Sequence, residues 1–389
     1  MDLLSMSKLE LLERCKSLGI INCKSKNKKQ LLELITSKMP IVKPFQQEQQ
    51  EQQEHPVSSL NVIDLFCGCG GMSKGLTDAG LNIIAGIDVW DKAVVSYNKN
   101  FSHHQAYCED LTQLSPEKFE ELYNKDKKVV DVLVGGPPCQ SFSIAGRRDK
   151  DDPRNTLFME YVKYLDYFRP KAFIMENVIG LLSKKTASSE NTSGGEKVID
   201  IIMELLNREY NCIITKLYAS DFEVPQNRRR VIIIGIRKDL GIFPKEPEPV
   251  IKSVEDRIPV RTVLLRKEDV DAKYYLSEKA LAGIENKRAV SKAKGFGFGA
   301  QMLDVDKPSY TIPARYWKDG YDALVKYNDK EIRRLTILEL KRIQSFPDNY
   351  IIEGSNKDVI IQIGNAVACK LAYHLGKYLV KTLFPKSNT

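Results

Sequence analysis

Between residues 61 and 236, short apolar runs rich in β-branched residues alternate with stretches of helical periodicity. The runs 61–66 (NVIDLF), 82–88 (NIIAGID), 129–136 (VVDVLVGG) and 171–177 (KAFIMEN) read as buried strands. Two later runs, 212–219 (CIITKLYA) and 230–236 (RVIIIGI), predict further strands. Leu157, Val162, Leu165 and Phe168 form one helical stripe. Val198, Ile201, Ile202, Leu205 and Leu206 form another, at spacings i, i+3, i+4, i+7 and i+8. The pattern predicts an α/β fold with a doubly wound, mostly parallel, Rossmann-like sheet covered by helices.

Outside this body the pattern changes. Residues 1–40 carry two short apolar-periodic stretches, one through Leu9, Leu12 and Cys15 and one through Leu31, Leu34 and Ile35. FQQEQQEQQEHP follows, a polar run with nothing to bury, and reads as a linker. After Arg237 the alternation fades into proline- and charge-rich sequence and the glycine-aromatic stretch GFGFGAQ (295–301), which predicts a separate loop-rich lobe. Helical periodicity returns at 332–346 and 366–384, while 184–197 reads as a surface loop. The expected organisation is therefore a helical module (1–40), a linker (41–57), a main domain (58–237), a lobe (238–330) and a return to the main domain (331–389).

Composition narrows the class only a little. With 42% hydrophobic and 28% charged residues among 389, the chain reads as an ordinary globular protein. A formal net charge of +8 favours a polyanionic partner without requiring one. No run approaches the roughly 18 apolar residues of a membrane span, and the charged N-terminus is not read as a signal peptide. The eight cysteines include no CxxC pair, so free thiols in a reducing, intracellular setting are expected, with no metal site.

The chemistry gathers where the predicted strands end. Asp64-Leu-Phe-Cys-Gly-Cys-Gly-Gly71 closes the first strand, and such glycines let backbone approach a ligand. Asp88 closes the second, where folds of this kind place an acid on ribose hydroxyls. No Walker lysine follows, so a nucleoside ligand without a pyrophosphate fits better than a dinucleotide. Gly135-Gly-Pro-Pro-Cys139 closes the third with a stiffened turn that presents a thiol. Glu176 closes the fourth, where burial is expected to raise its pKa and let it hold a proton near neutrality. Gln226-Asn-Arg-Arg-Arg230 adds a basic cluster before the last strand.

These residues resemble the cytosine-5 DNA methyltransferase family across about 60–384, with ordered motifs DLFCGCGG, the Asp88 strand end, Glu109-Asp-Leu111, GGPPCQSFS, ENV, QNRRR, RRLTILELKRIQSFPDNY and QIGNAV. The resemblance implies S-adenosylmethionine as cofactor and double-stranded DNA as substrate. It implies that Cys139 attacks carbon 6 of a flipped-out cytosine, that Glu176 bonds the N3 and amino edge, that Arg228 holds the base carbonyl and that Arg230 braces the site. Phe66 would lie against the adenine, with Gly68, Gly70 and Gly71 near the methionine portion. Asp88 would bind ribose and Asp110 the adenine amino group, beside Leu111, Pro138, Asn365 and Val367. Val89 departs from relatives that stack an aromatic on adenine, and Trp90 beside it is expected to point elsewhere.

For DNA, the resemblance makes 238–330 the target-recognition domain. Gln140, Ser143, Arg147 and Arg148 belong to a catalytic loop, and Thr311, Arg315 and Lys318 lie in the lobe. Residues 1–40 loosely resemble a SAP-type helix-extended-helix module, either an accessory nucleic-acid contact or a solvated helical pair. A monomer is expected, with a cognate restriction endonuclease as a partner in function. Two other readings compete. A tRNA cytosine-5 methyltransferase would carry a Cys-Phe-Thr tripeptide that is missing here. A catalytically inactive DNA-binding relative is disfavoured by the presence of Cys139, Glu176, Arg228 and the cofactor acids.

Overall fold

The computed structural model describes residues 7–8, 11–12, 23, 26–32, 60–138, 156–185, 196–293 and 300–384. The chain divides into two compact units, Met1–Pro56 with Tyr327–Asp329, and Val57–Lys326 with Lys330–Thr389. In the first, 28–32 is helical behind Asn27, whose side chain and that of Gln30 each accept the other's backbone N–H. Leu11 and Leu31 are buried there. Leu9, Cys15, Leu34, Ile35 and the linker lie outside the described residues.

The second unit is built on seven strands, β1 (Asn61–Leu65), β2 (Asn82–Asp88), β3 (Ala106–Cys108), β4 (Val132–Gly135), β5 (Ala172–Asn177), β6 (Tyr210–Tyr218) and β7 (Arg229–Arg237). Their order is β3-β2-β1-β4-β5-β7-β6. Pairing is parallel from β3 to β5, and β7 enters antiparallel between β5 and β6. Successive strands step outward in one direction from β1 and in the other from β4. The crevice between β1 and β4 is thus a topological switch point, where such sheets bind ligands. Because β7 runs antiparallel, its first residues reach the edge where β5 ends, with Val231 opposite Asn177.

Helices α1 (Gly71–Asp78), α2 (Asp91–Asn98), α3 (Pro116–Tyr123), α4 (Thr156–Phe168) and α5 (Val198–Leu206) fill the crossovers. The period of two sorts the strand residues between two cores. Phe173 and Met175 of β5 face a cluster with Tyr161, Tyr164 and Ile202, from α4 and α5. Ala172 and Ile174 face a second with Leu76 of α1 and several leucines near the C-terminus.

In the lobe, α6 (Glu278–Ala293) is followed by the short strands β8 (Leu324–Lys326) and β9 (Ile332–Arg334). Then come α7 (Ile337–Ile343), α8 (Asn356–Asn365) and α9 (Cys369–Leu383), the last packing on α1. Two expectations change here. The periodicity from 332 begins as a strand, because β9 pairs with β8 before a capping box of Thr336 and Glu339 starts α7. Helix α8 was not foreseen. The lobe also shares a core with the helices after it, since Val260, Ile312 and Tyr316 cluster with Leu340, Ile343, Val359 and Ile363. Arg333 and Glu339, both fully buried, pair through two 2.8 Å bonds beneath that core.

Candidate active site

A cavity of about 1190 Å³ opens at the switch point, lined by the ends of β1, β2, β4 and β5 and by Gln362, Asn365, Ala366 and Val367. Its floor is the loop after β1. Phe66 sits at φ +59 and Gly68 at φ +54, so two left-handed residues in three fold the backbone back on itself. A Cβ at Gly68 would meet nothing within 4 Å, which leaves open space above that residue. Gly70 and Gly71 are not among the residues lining the cavity. They permit packing: a Cβ on Gly70 would lie 2.7 Å from Phe101 and Tyr350, and one on Gly71 would lie 2.3 Å from the Val367 carbonyl.

Carboxylates furnish the first half of the cavity. Asp88 is held by both oxygens, accepting the N–H of Gly68 and of Trp90, each at 2.8 Å. Burial raises its pKa against those bonds. Asp110 Oδ1 accepts the Thr112 N–H at 2.9 Å and its hydroxyl at 2.8 Å. Asp64, which motif reading left without a role, is buried and lines the cavity, its Oδ2 accepting the Ser73 hydroxyl at 2.6 Å. Burial, with Asp88 nearby, pushes its pKa up to about 7. Glu109 lines the same half and accepts the Tyr123 hydroxyl. Among the described residues, none of those lining the cavity is basic.

Leu111, Pro138, Asn365 and Val367 line the cavity as well. Val89 is 69% exposed on its rim, and Trp90 is also among the lining residues. Sequence reading also missed Leu157 and Glu160, one turn apart on α4. The i, i+3 spacing was visible, but the side of α4 that meets the crevice was not.

The second half is organised around Glu176. A Cβ on Gly136 would lie 3.3 Å from Glu176 Oε2, so the glycine keeps that carboxylate uncrowded. Asn177 Nδ2 donates to the Pro137 carbonyl at 3.0 Å, tying the Pro-Pro turn to the end of β5. Cys139, Gln140, Ser143, Arg147 and Arg148 follow that turn and lie outside the described residues. Glu176 is not surrounded by hydrocarbon alone, because Arg230 Nε lies 2.6 Å from its Oε1, a close ion contact rather than a well-angled hydrogen bond.

The two arginines take different positions. Arg228 does not face the cavity. It is 2% exposed and donates to the carbonyls of Ile312, Gly364 and Ala366 at 3.2, 2.9 and 3.1 Å. Burial, and next the neighbouring Arg230, lower its pKa to about 9. The reason is position: Arg228 precedes β7, where the lobe and α8 converge, whereas Arg230 is within the strand beside β5.

In the lobe, Thr311 Oγ1 donates to the Asn227 carbonyl at 3.3 Å, and Ile312 is buried. Arg315 is exposed but pairs with Asp322 at 2.6 Å. Lys318 sits 5.9 Å from the Trp317 ring centre.

The mixed sheet, the glycine loop after β1 and the acidic crevice at the switch point describe the site, and comparison with known proteins makes the class specific. Residues 60–381 match the C-5 cytosine-specific DNA methylase family, and the chain belongs to it. It is 32% identical over 382 residues to Type II methyltransferase M.DdeI of Desulfomicrobium norvegicum, covering 82% of this chain and 88% of that one. It is 31% identical to Type II methyltransferase M1.ScrFI of Lactococcus lactis subsp. cremoris, covering 89% and 82%. The crystal structure of S. pombe Dnmt2 methyltransferase shares the fold, with a TM-score of 0.64 at 21% identity over 85% of this chain and 100% of that one. Members of this family use S-adenosylmethionine as methyl donor, and the chain is a DNA cytosine-5 methyltransferase. Among the described residues, no helix is long and apolar enough to cross a membrane.

Proposed function

We propose that the chain methylates carbon 5 of a flipped-out cytosine in a specific duplex site through a covalent bond to Cys139. The observation that carries this reading is the Glu176–Arg230 pair, set beside the Gly135–Pro138 turn that leads directly into Cys139. The cofactor fits the cavity on charge: S-adenosylmethionine carries a sulfonium, and a lining that among the described residues is acidic with no basic side chain suits a cation. Asp88 would take the ribose hydroxyls, Asp110 the adenine amino group, and the open space above Gly68 the methionine portion. When bound, the cofactor supplies an electrophilic methyl group.

The residues do the rest. Carbon 5 of an aromatic cytosine is a poor nucleophile. The Cys139 thiolate adds to carbon 6, and the electron pair of the ring double bond shifts so that carbon 5 becomes nucleophilic. Glu176 would meet the N3 and amino edge, and Arg230, in contact with Glu176, would hold the base carbonyl where negative charge gathers. After methylation, carbon 5 loses its proton and that bonding pair expels the thiolate. A base in a duplex is inaccessible to this edge, so the cytosine must leave the stack.

We further assign residues 238–330 to target recognition and 1–40 to an accessory role. We take the chain as a soluble intracellular monomer, and the Type II names of the relatives support a cognate restriction endonuclease acting on the same site. The test is DNA carrying 5-fluorocytosine, whose fluorine cannot leave as a proton does. Wild-type protein with S-adenosylmethionine should form a complex that survives denaturing electrophoresis, and Cys139→Ala should form none. Methylation at normal rates by the alanine variant sinks the reading.

A further inference from the structure

Arg228 is a buried cation that, among the described residues, has no carboxylate bonded to it and donates to three carbonyls. Two of these, Gly364 and Ala366, belong to the C-terminal end of α8, where unpaired carbonyls carry the negative end of the helix dipole. That end runs straight into the wall of the cofactor cavity, formed by Asn365, Ala366 and Val367. The third carbonyl, Ile312, belongs to the recognition lobe. Two buried glutamines reinforce the same joint. Gln226 accepts the Ile312 N–H at 2.9 Å and donates to Gln344 Oε1 at 2.8 Å, and Gln344 donates to the Ile363 and Ala366 carbonyls at 2.7 and 3.1 Å. A glycine completes it. A Cβ on Gly364 would lie 2.5 Å from the Ala314 backbone, so α8 rests directly on the lobe segment that follows Ile312.

We infer that Arg228 is a positioning residue that couples DNA binding to cofactor binding, by clamping the lobe at Ile312 to the helix end that forms the cofactor wall. Movement of the lobe on DNA and movement of that wall then share one rigid joint, which biases both equilibria together. A planar guanidinium suits the task, since one fork spans three carbonyls, whereas an ammonium is a compact point donor without that fixed geometry. The inference rests on the proposed assignment of the lobe to DNA and of the cavity to the cofactor.

The experiment measures linkage without turnover. S-adenosylhomocysteine binding to the full-length protein is titrated calorimetrically, alone and with saturating unmethylated bacteriophage lambda DNA. Wild type should change its dissociation constant on adding DNA by about 5-fold or more, the lower end of ordinary coupling between sites. Arg228→Lys, checked for folding by circular dichroism, should bring that ratio close to one whatever its affinity for S-adenosylhomocysteine alone. Gly364→Ala opens the joint from the helix side while keeping the guanidinium itself, and should reduce the ratio as well. A folded Arg228→Lys variant with the wild-type ratio overturns the inference. So does a wild type that binds both molecules with a ratio of one, even if neither variant folds. Failure of the wild type to bind S-adenosylhomocysteine or lambda DNA at all would instead overturn the assignment beneath it.

Discussion

The two halves of the crevice follow opposite electrostatic plans. On one side, Asp64, Asp88, Glu109 and Asp110 gather, and among the described residues no basic side chain lines the cavity. Across it, Glu176 is matched at once by Arg230. An unbalanced cluster of carboxylates is costly by itself and suits a ligand that brings positive charge. A matched pair suits a neutral ring that must meet an acceptor on one edge and a donor on its carbonyl. The difference teaches that one sheet edge can carry an unbalanced acidic cluster and a matched ion pair side by side.

Breaking the matched half should have the largest effect. Arg230→Ala is expected to lower the turnover number by about 10²–10³-fold, as loss of a donor to developing charge does elsewhere. Single-turnover methylation of plasmid DNA at saturating cofactor measures this. A fall confined to the Michaelis constant for cofactor would show that Arg230 serves the other half.

The acidic half should reveal itself through pH. Burial raises Asp64 from 3.8 to about 7, so the folded chain binds this proton more tightly than the unfolded one. The associated stability is fully present below about 3.8 and is lost as pH rises toward 7. At about 1.4 kcal/mol per unit, the loss is on the order of 4 kcal/mol by pH 8. Asp64→Asn should remove it, gaining on wild type between pH 5 and pH 8 in urea denaturation without cofactor. Parallel pH profiles for the two proteins would contradict this.

Next in size, Asp88→Ala should weaken S-adenosylmethionine by about 1.5–3 kcal/mol, the worth of a hydrogen bond to a charged group. Titration calorimetry decides, and an unchanged dissociation constant would leave Asp88 as a brace for Gly68 and Trp90 alone. Smallest is the lobe. Lys318→Ala should weaken binding to all DNA sequences alike and reduce the salt slope by about one, as for a phosphate contact. A change in which site is methylated, read by bisulfite sequencing, would make Lys318 a base reader instead.

Much of this was legible along the chain because it is local. The apolar runs at β1, β2, β5 and β7 are long enough to betray buried strands, and a turn motif such as Gly-Gly-Pro-Pro stays attached to the strand before it. Strand β3 escaped because it has three residues, and β9 because Ile332–Arg334 also suits the first turn of a helix. The residue types at the strand ends pointed to a nucleoside ligand before any contact was known. What they do with their neighbours was a matter of tertiary structure alone. Arg228 and Arg230 stand two apart in one basic run, and nothing in that run tells which guanidinium meets Glu176 and which the carbonyls of α8. Gly70 and Gly71 look like ligand-binding glycines but serve packing against Tyr350 and Val367, nearly 300 residues away. Periodicity records which face of an element is buried, whereas the partner on that face is chosen only when segments distant in sequence close on one another.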